Sequence, residues 1–124
     1  MARQHRIADR KGNGELRSSW ATSVDGNKNN NTSGKGIHFI GEYTWDTIIR
    51  NVWLIDIPEE GIYADTAYAL RLYRVIVERA NSWGIYLDSD ARWSMIDCEV
   101  ANCVQGIYIG AKAGALLHCQ IYYI

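Results

Sequence analysis

One four-residue phrase recurs along most of the chain: Gly36-Ile37-His38-Phe39, Gly61-Ile62-Tyr63-Ala64, Gly84-Ile85-Tyr86-Leu87 and Gly106-Ile107-Tyr108-Ile109. Successive glycines stand 25, 23 and 22 residues apart. Self-similarity at a period of this size marks a stacked-repeat architecture, in which each unit buries its apolar face against the next. A second register runs between the glycines as Val52-Trp53-Leu54, Val75-Ile76-Val77, Cys98-Glu99-Val100 and Cys119-Gln120-Ile121. Three residues before each of these lies Ile49, Leu72, Met95 or Leu116. The apolar residues alternate over short runs, which is strand periodicity. No repeat holds the longer 3.6-residue pattern of a helix, the Leu-x-x-Leu-x-Leu frame of leucine-rich repeats, or a hexapeptide frame. The sequence therefore predicts an all-β fold: a parallel β-helix of about four coils, residues 36–124, with strands stacked at ~4.8 Å. Right-handed winding is expected from the hand preferred by crossovers between parallel strands.

The same pattern assigns faces. Ile37, Ile62, Ile85 and Ile107 form one inward ladder, and Phe39, Ala64, Leu87 and Ile109 a second. Val52, Val75, Cys98 and Cys119 form a third, with Leu54, Val77, Val100 and Ile121 a fourth. Glycine at the start of each coil is expected where the backbone needs a positive φ or a close approach. Cys98 and Cys119 read as small buried hydrophobes. Three cysteines cannot all pair within one chain, and the first twenty residues lack the apolar core of a signal peptide. Synthesis in the cytoplasm with reduced thiols is the expectation, with virion or extracellular-fibre placement if the protein is tailspike-like. No run approaches the ~18 apolar residues of a spanning helix, so no membrane partner is expected.

Residues 1–35 lack a clear period and end in an Asn/Gly-rich stretch, Asp25 to Gly36, with no apolar face to bury. They read as an irregular basic arm and linker. The net charge of −1 divides into +4 over residues 1–35 and −5 over the remainder. An acidic body repels phosphate, which makes nucleic acid an unlikely partner; the arm is free to dock on an acidic neighbour or to remain a solvated tail. No ligand set for a metal and no phosphate loop occurs, so neither metal nor cofactor is expected.

The glycine-led coils resemble the right-handed parallel β-helix of the pectate-lyase-like superfamily, over Gly36 to Ile124. That superfamily includes polysaccharide lyases, pectin hydrolases and bacteriophage tailspikes. The motifs of pectin hydrolases (Asn-Thr-Asp, Asp-Asp, Gly-His-Gly, Arg-Ile-Lys) are absent, and Val52-Trp53-Leu54-Ile55-Asp56 lacks the histidine of the Trp-Ile-Asp-His stretch of pectate lyases. The resemblance is greatest to a tailspike-type segment. It implies a polysaccharide partner and a homotrimer; the strand-like Ile121-Tyr122-Tyr123-Ile124, with no polar cap, adds the expectation of an open coil end covered by another copy or by continuing chain.

The outward position between the two buried residues of each glycine-led strand holds His38, Tyr63, Tyr86 and Tyr108. Asp65 and Asp88 follow two positions later, and Asp90 on the next outward position. Aromatic rings beside carboxylates fit a sugar surface, with His38, Tyr63, Tyr86, Tyr108 and Asp90 as carbohydrate contacts. If the coils stack in register, Asp65 and Asp88 approach the ~5 Å carboxyl spacing of retaining glycosidases, which makes them the candidate catalytic pair. Plain turn residues and strand-forming tyrosines are the alternative reading of the same positions. Trp53 is expected to face outward, and Trp45, Trp83 and Trp93 to shield corners or line a groove. Three functions follow: a structural, polysaccharide-binding module; part of a glycoside hydrolase or lyase using the Asp pair; or a purely architectural, self-assembling subunit.

Overall fold

A computed structural model describes residues 2–10, 16–40, 44–65, 67–88, 92–110 and 113–122. Among them the chain forms fourteen strands and no helix. In chain order these are β1 (Ala2–Arg10), β2 (Leu16–Asp25), β3 (Ile37–Phe39), β4 (Thr44–Trp45), β5 (Ile48–Ile55), β6 (Ile62–Ala64) and β7 (Ala67–Tyr68). There follow β8 (Leu70–Glu78), β9 (Trp83–Leu87), β10 (Arg92–Ile96), β11 (Glu99–Ala101), β12 (Gln105–Ile109), β13 (Ala113–Leu117) and β14 (Gln120–Tyr122).

The strands stack as a parallel β-solenoid of about three turns, slightly fewer than the repeat count implies. Three sheets form its walls. A large sheet runs β1-β2-β5-β8-β10-β13, with β11 pairing β8 and β14; a four-stranded sheet runs β3-β6-β9-β12; and β4 pairs with β7. Every pairing is parallel except β1 with β2. The register superposes like on like: Ile37 on Ile62 on Ile85 on Ile107, and Leu54 on Val77 on Val100 on Ile121. Alternation therefore drives one set of side chains into a dry column. Leu54, Ile62, Leu72, Val75, Val77, Ile85, Met95 and Val100 are all fully buried, each contributing ~1.5–3 kcal/mol by leaving water. Cys98 occupies the expected inward rung, buried to 1% exposure.

The last coil departs from this burial. Ile109, Leu116 and Ile121 continue the inward ladders yet are 38%, 46% and 48% exposed.

The N-terminal segment corrects the expectation of an irregular arm. β1 and β2 form an antiparallel hairpin, and β2 lies in parallel register on β5, with Val24 opposite Leu54. Apolar Val24 thus extends an inward ladder; the scatter of Ile7, Leu16 and Trp20 hid the strands because alternation alone is a weak signal in a polar stretch. The Asn/Gly-rich stretch that follows is a loop, pinned where Lys28 Nζ donates to Arg79 O (3.0 Å) and Gly26 N to Ile55 O (2.9 Å).

The repeated glycines are needed for close approach and not for a positive φ. A Cβ on Gly61 would lie 2.5 Å from Gly84 O and collide with Val77 Cγ1; one on Gly84 would collide with Val100 Cγ1. The left-handed residues are other ones, and they recur coil by coil. Asn51, Arg74, Asp97 and His118 form one corner ladder (φ 51–56°). Asp56, Arg79 and Asn102 form a second (φ 54–59°), and Asp46 with Ala69 a third (φ 52–54°). A single left-handed residue bends the strand sharply without releasing it from its neighbour: Asp56 N donates to Glu78 O (3.0 Å), Arg79 N to Ala101 O (3.0 Å) and Asp97 N to Leu117 O (3.0 Å).

Candidate functional site

The four-stranded sheet presents the outward column anticipated from the repeat. Its register places His38 beside Tyr63, Tyr63 beside Tyr86, and Tyr86 beside Tyr108. The rings do not lie flat on the surface. Tyr63 and Tyr86 stack at 4.8 Å with 8° between planes, and Tyr86 and Tyr108 at 4.5 Å with 9°. His38 meets Tyr63 edge-on at 5.1 Å. The face of each inner ring is therefore covered by the ring of the next coil, and only ring edges and hydroxyls reach solvent. Rings at the strand spacing satisfy their stacking on one another.

Asp65 and Asp88 follow the in-register partners Ala64 and Leu87, and Asp88 N donates to Ala64 O at 2.8 Å, so the two carboxylates occupy equivalent positions on adjacent coils. Both are exposed. Tyr86 donates its hydroxyl to Asp88 Oδ2 at 3.5 Å. Desolvation in the ring stack, followed by the nearby Asp88 charge, raises the Tyr86 pKa, which keeps its hydroxyl a neutral donor and acceptor. Gly110, on the rung after Asp88, leaves room for the Asp88 carboxylate, which a Cβ there would displace. Asp90 lies outside the described residues.

Two participants lie outside the carbohydrate contacts expected from sequence. Lys35 reaches over the Tyr63 ring, Nζ 5.0 Å from its centroid, while binding Glu59 (2.9 Å) and Glu60 (3.4 Å). The hydrogen bond with Glu59 raises the lysine pKa, and with the Gly34 N–H it lowers that of Glu59. Trp83, expected at a corner, opens β9 and stands against the column, 5.6 Å from Tyr108 and 6.5 Å from Tyr86 at about 60° to both. The available signal was positional: Glu60 and Trp83 each immediately precede the glycine of their coil, as Lys35 does. The other tryptophans also left the expected turns: Trp45 is in β4, and Trp93 is in β10, packed against the core and over Gly114. Trp53 is outward on β5 but half-buried.

The strip thus offers a row of neutral hydroxyls, two carboxylates, one indole and a lysine held by glutamates. A cavity of about 440 Å³, which meets the strip only at Lys35, lies between Val24, Asn27, Asn31, Lys35 and Ile57. Among the described residues no group of three or more His, Cys, Asp and Glu could hold a metal ion, and no helix is long and apolar enough to cross a membrane. Comparison of the chain with protein-family models, curated proteins and solved structures finds no match.

Proposed function

We propose that this chain is a structural β-solenoid module that contacts a polysaccharide through its Tyr/Asp strip, in the manner of a tailspike or surface-fibre segment. The observation that carries the reading is the in-register outward column of His38, Tyr63, Tyr86 and Tyr108, exposed at its two ends and half-buried at Tyr63 and Tyr86, beside exposed Asp65 and Asp88. A flat wall that repeats the same polar group once per coil suits a ligand that is itself a linear repeat. Contact is edge-on: tyrosine hydroxyls and aspartates exchange hydrogen bonds with sugar hydroxyls, and Trp83 supplies the aromatic surface that the stacked tyrosines cannot. Hydrolysis by the Asp65–Asp88 pair has less support, because both carboxylates sit on an open strip outside the cavity, whereas acid–base catalysis at a glycosidic bond gains from enclosure and water exclusion.

The test is titration of the chain with a panel of capsular and O-antigen polysaccharides, read by tryptophan fluorescence. Saturable quenching that is lost in Trp83→Ala and weakened about tenfold in Tyr86→Phe supports the strip. Absence of quenching across the panel removes polysaccharide binding, and reducing-end release that disappears in Asp88→Asn would restore the enzymatic reading.

A further inference from the structure

The outer surface of the large sheet is divided at the left-handed corner Asn51, Arg74, Asp97, His118 into two facets of opposite charge. In β8 the exposure alternates cleanly across that corner, with Leu70, Leu72, Val75 and Val77 inward and Arg71, Tyr73, Ile76 and Glu78 outward. Six Lys and Arg residues follow Lys35 in the sequence. Four of them, Arg50, Arg71, Arg74 and Arg92, are exposed on the first facet or its corner. Asp46 lies 3.5 Å from Arg71, and Asp97 lies 3.6 Å from His118, leaving the facet net positive. Arg50 also covers the Tyr73 ring at 5.6 Å, and Ile48 and Leu117 add exposed aliphatic surface at 46% and 50%.

Beyond the corner the sign reverses. The second facet carries Asp25, Asp56, Glu78 and Glu99, with outward Trp53 and Ile76 between them. Arg79 binds Asp56 (2.6 Å) and Glu78 (2.5 Å), and Lys28 reaches the Arg79 carbonyl, so the side chains described on this facet keep a net negative charge. Each facet therefore combines a net charge of one sign with half-exposed or exposed apolar residues, and the two net charges are complementary.

We infer that the two facets dock on each other between copies: the arginine facet of one chain lies on the acidic facet of a second copy of this chain. Complementarity within one sequence selects that occupant. An anionic polymer would match the arginines but leave Ile48 and Leu117 against water, and a nucleic acid would find the Tyr73 face already covered by Arg50. The contact is heterologous, so it leaves one facet of each type open at the ends of a pair and propagates to a ring or a filament about the corner ridge. The Tyr/Asp strip, on a different sheet, stays outside it.

Sedimentation velocity of the full chain over a range of concentrations tests this. The expected result is reversible association at low salt that fades as salt is raised, since exposed charges are screened. Charge reversal on the first facet (Arg50→Glu with Arg71→Glu) and on the second (Glu78→Lys with Glu99→Lys) should each abolish the heavier species, with the far-ultraviolet β signal retained. Mixing the two variants in equal amounts should recover it. A single-chain mass at every concentration and salt overturns the inference. So does association that ignores both reversals, which would place the contact on the exposed last coil instead.

Discussion

At the level of single residues, the corners and the thiols are the most informative. Ala69 holds φ at 54° with no side-chain function to offset the strain, and a left-handed L-residue costs about 1–2 kcal/mol. Ala69→Gly should therefore stabilise the protein by up to about 1 kcal/mol, net of the extra chain entropy of glycine, measured as a higher urea midpoint. The reverse exchange at Gly84 should destabilise by about 1–3 kcal/mol, because a new methyl meets Val100 in a packed interior. Burial raises the Cys98 thiol to about 11 from its ordinary 9.0. In the unfolded chain that thiol ionises first, so stability conferred by the neutral buried thiol is complete below pH 9 and falls as pH rises from about 9 to about 11. Alkylation of native protein at pH 8 should accordingly modify half-exposed Cys119 before buried Cys98, which peptide mass mapping resolves. Asp56 behaves oppositely. The Arg79 guanidinium lowers its pKa, so the pair contributes above the ordinary carboxylate value of 3.8 and is lost on acidification. With both partners partly exposed, that contribution is about 1 kcal/mol or less.

At the level of strands, one ladder position has different value in different coils. Leu87 and Ile109 are register partners, yet one is 1% and the other 38% exposed. Leu87→Ala should cost about 2–5 kcal/mol, because it removes methyl groups from a column closed above and below. Ile109→Ala should cost about 1 kcal/mol or less, since half of the contact shell is already water. Paired urea denaturations of the two variants check the contrast; equal costs would mean that the last coil is covered in solution. The same logic explains the aromatic column: strands at ~4.8 Å bring the tyrosine rings of adjacent coils within stacking distance of each other.

At the level of the whole molecule, the proposed glycan contact and the inferred self-association fall on different sheets. The four-stranded sheet displays a neutral-to-acidic polar strip, and the large sheet displays opposed charges on either side of one corner. Glycan contact and self-association therefore respond to different perturbations. Trp83→Ala should remove fluorescence quenching while leaving the sedimenting mass unchanged, and Arg50→Glu should do the reverse. A variant that abolished both would indicate that one surface serves both roles.

The winding and the inward ladders were legible in the sequence, because alternation and a fixed repeat are local properties that strand geometry converts directly into stacked rows. The identity of His38, Tyr63, Tyr86 and Tyr108 as one column was legible for the same reason, as were the equivalent positions of Asp65 and Asp88 on adjacent coils. The β1–β2 hairpin, the corner positions and the ring orientation were not. Asn, Asp and His at Asp46, Asn51, Asp56, Asp97, Asn102 and His118 tolerate a left-handed conformation, but Arg74, Arg79 and Ala69 carry no sequence signal for it and adopt it because coil-to-coil hydrogen bonds hold them at the bend. Ring stacking depends on the neighbour above and below, and the division of charge depends on where each bend falls relative to the register. Those are relations between residues more than twenty positions apart, and only the tertiary fold sets them.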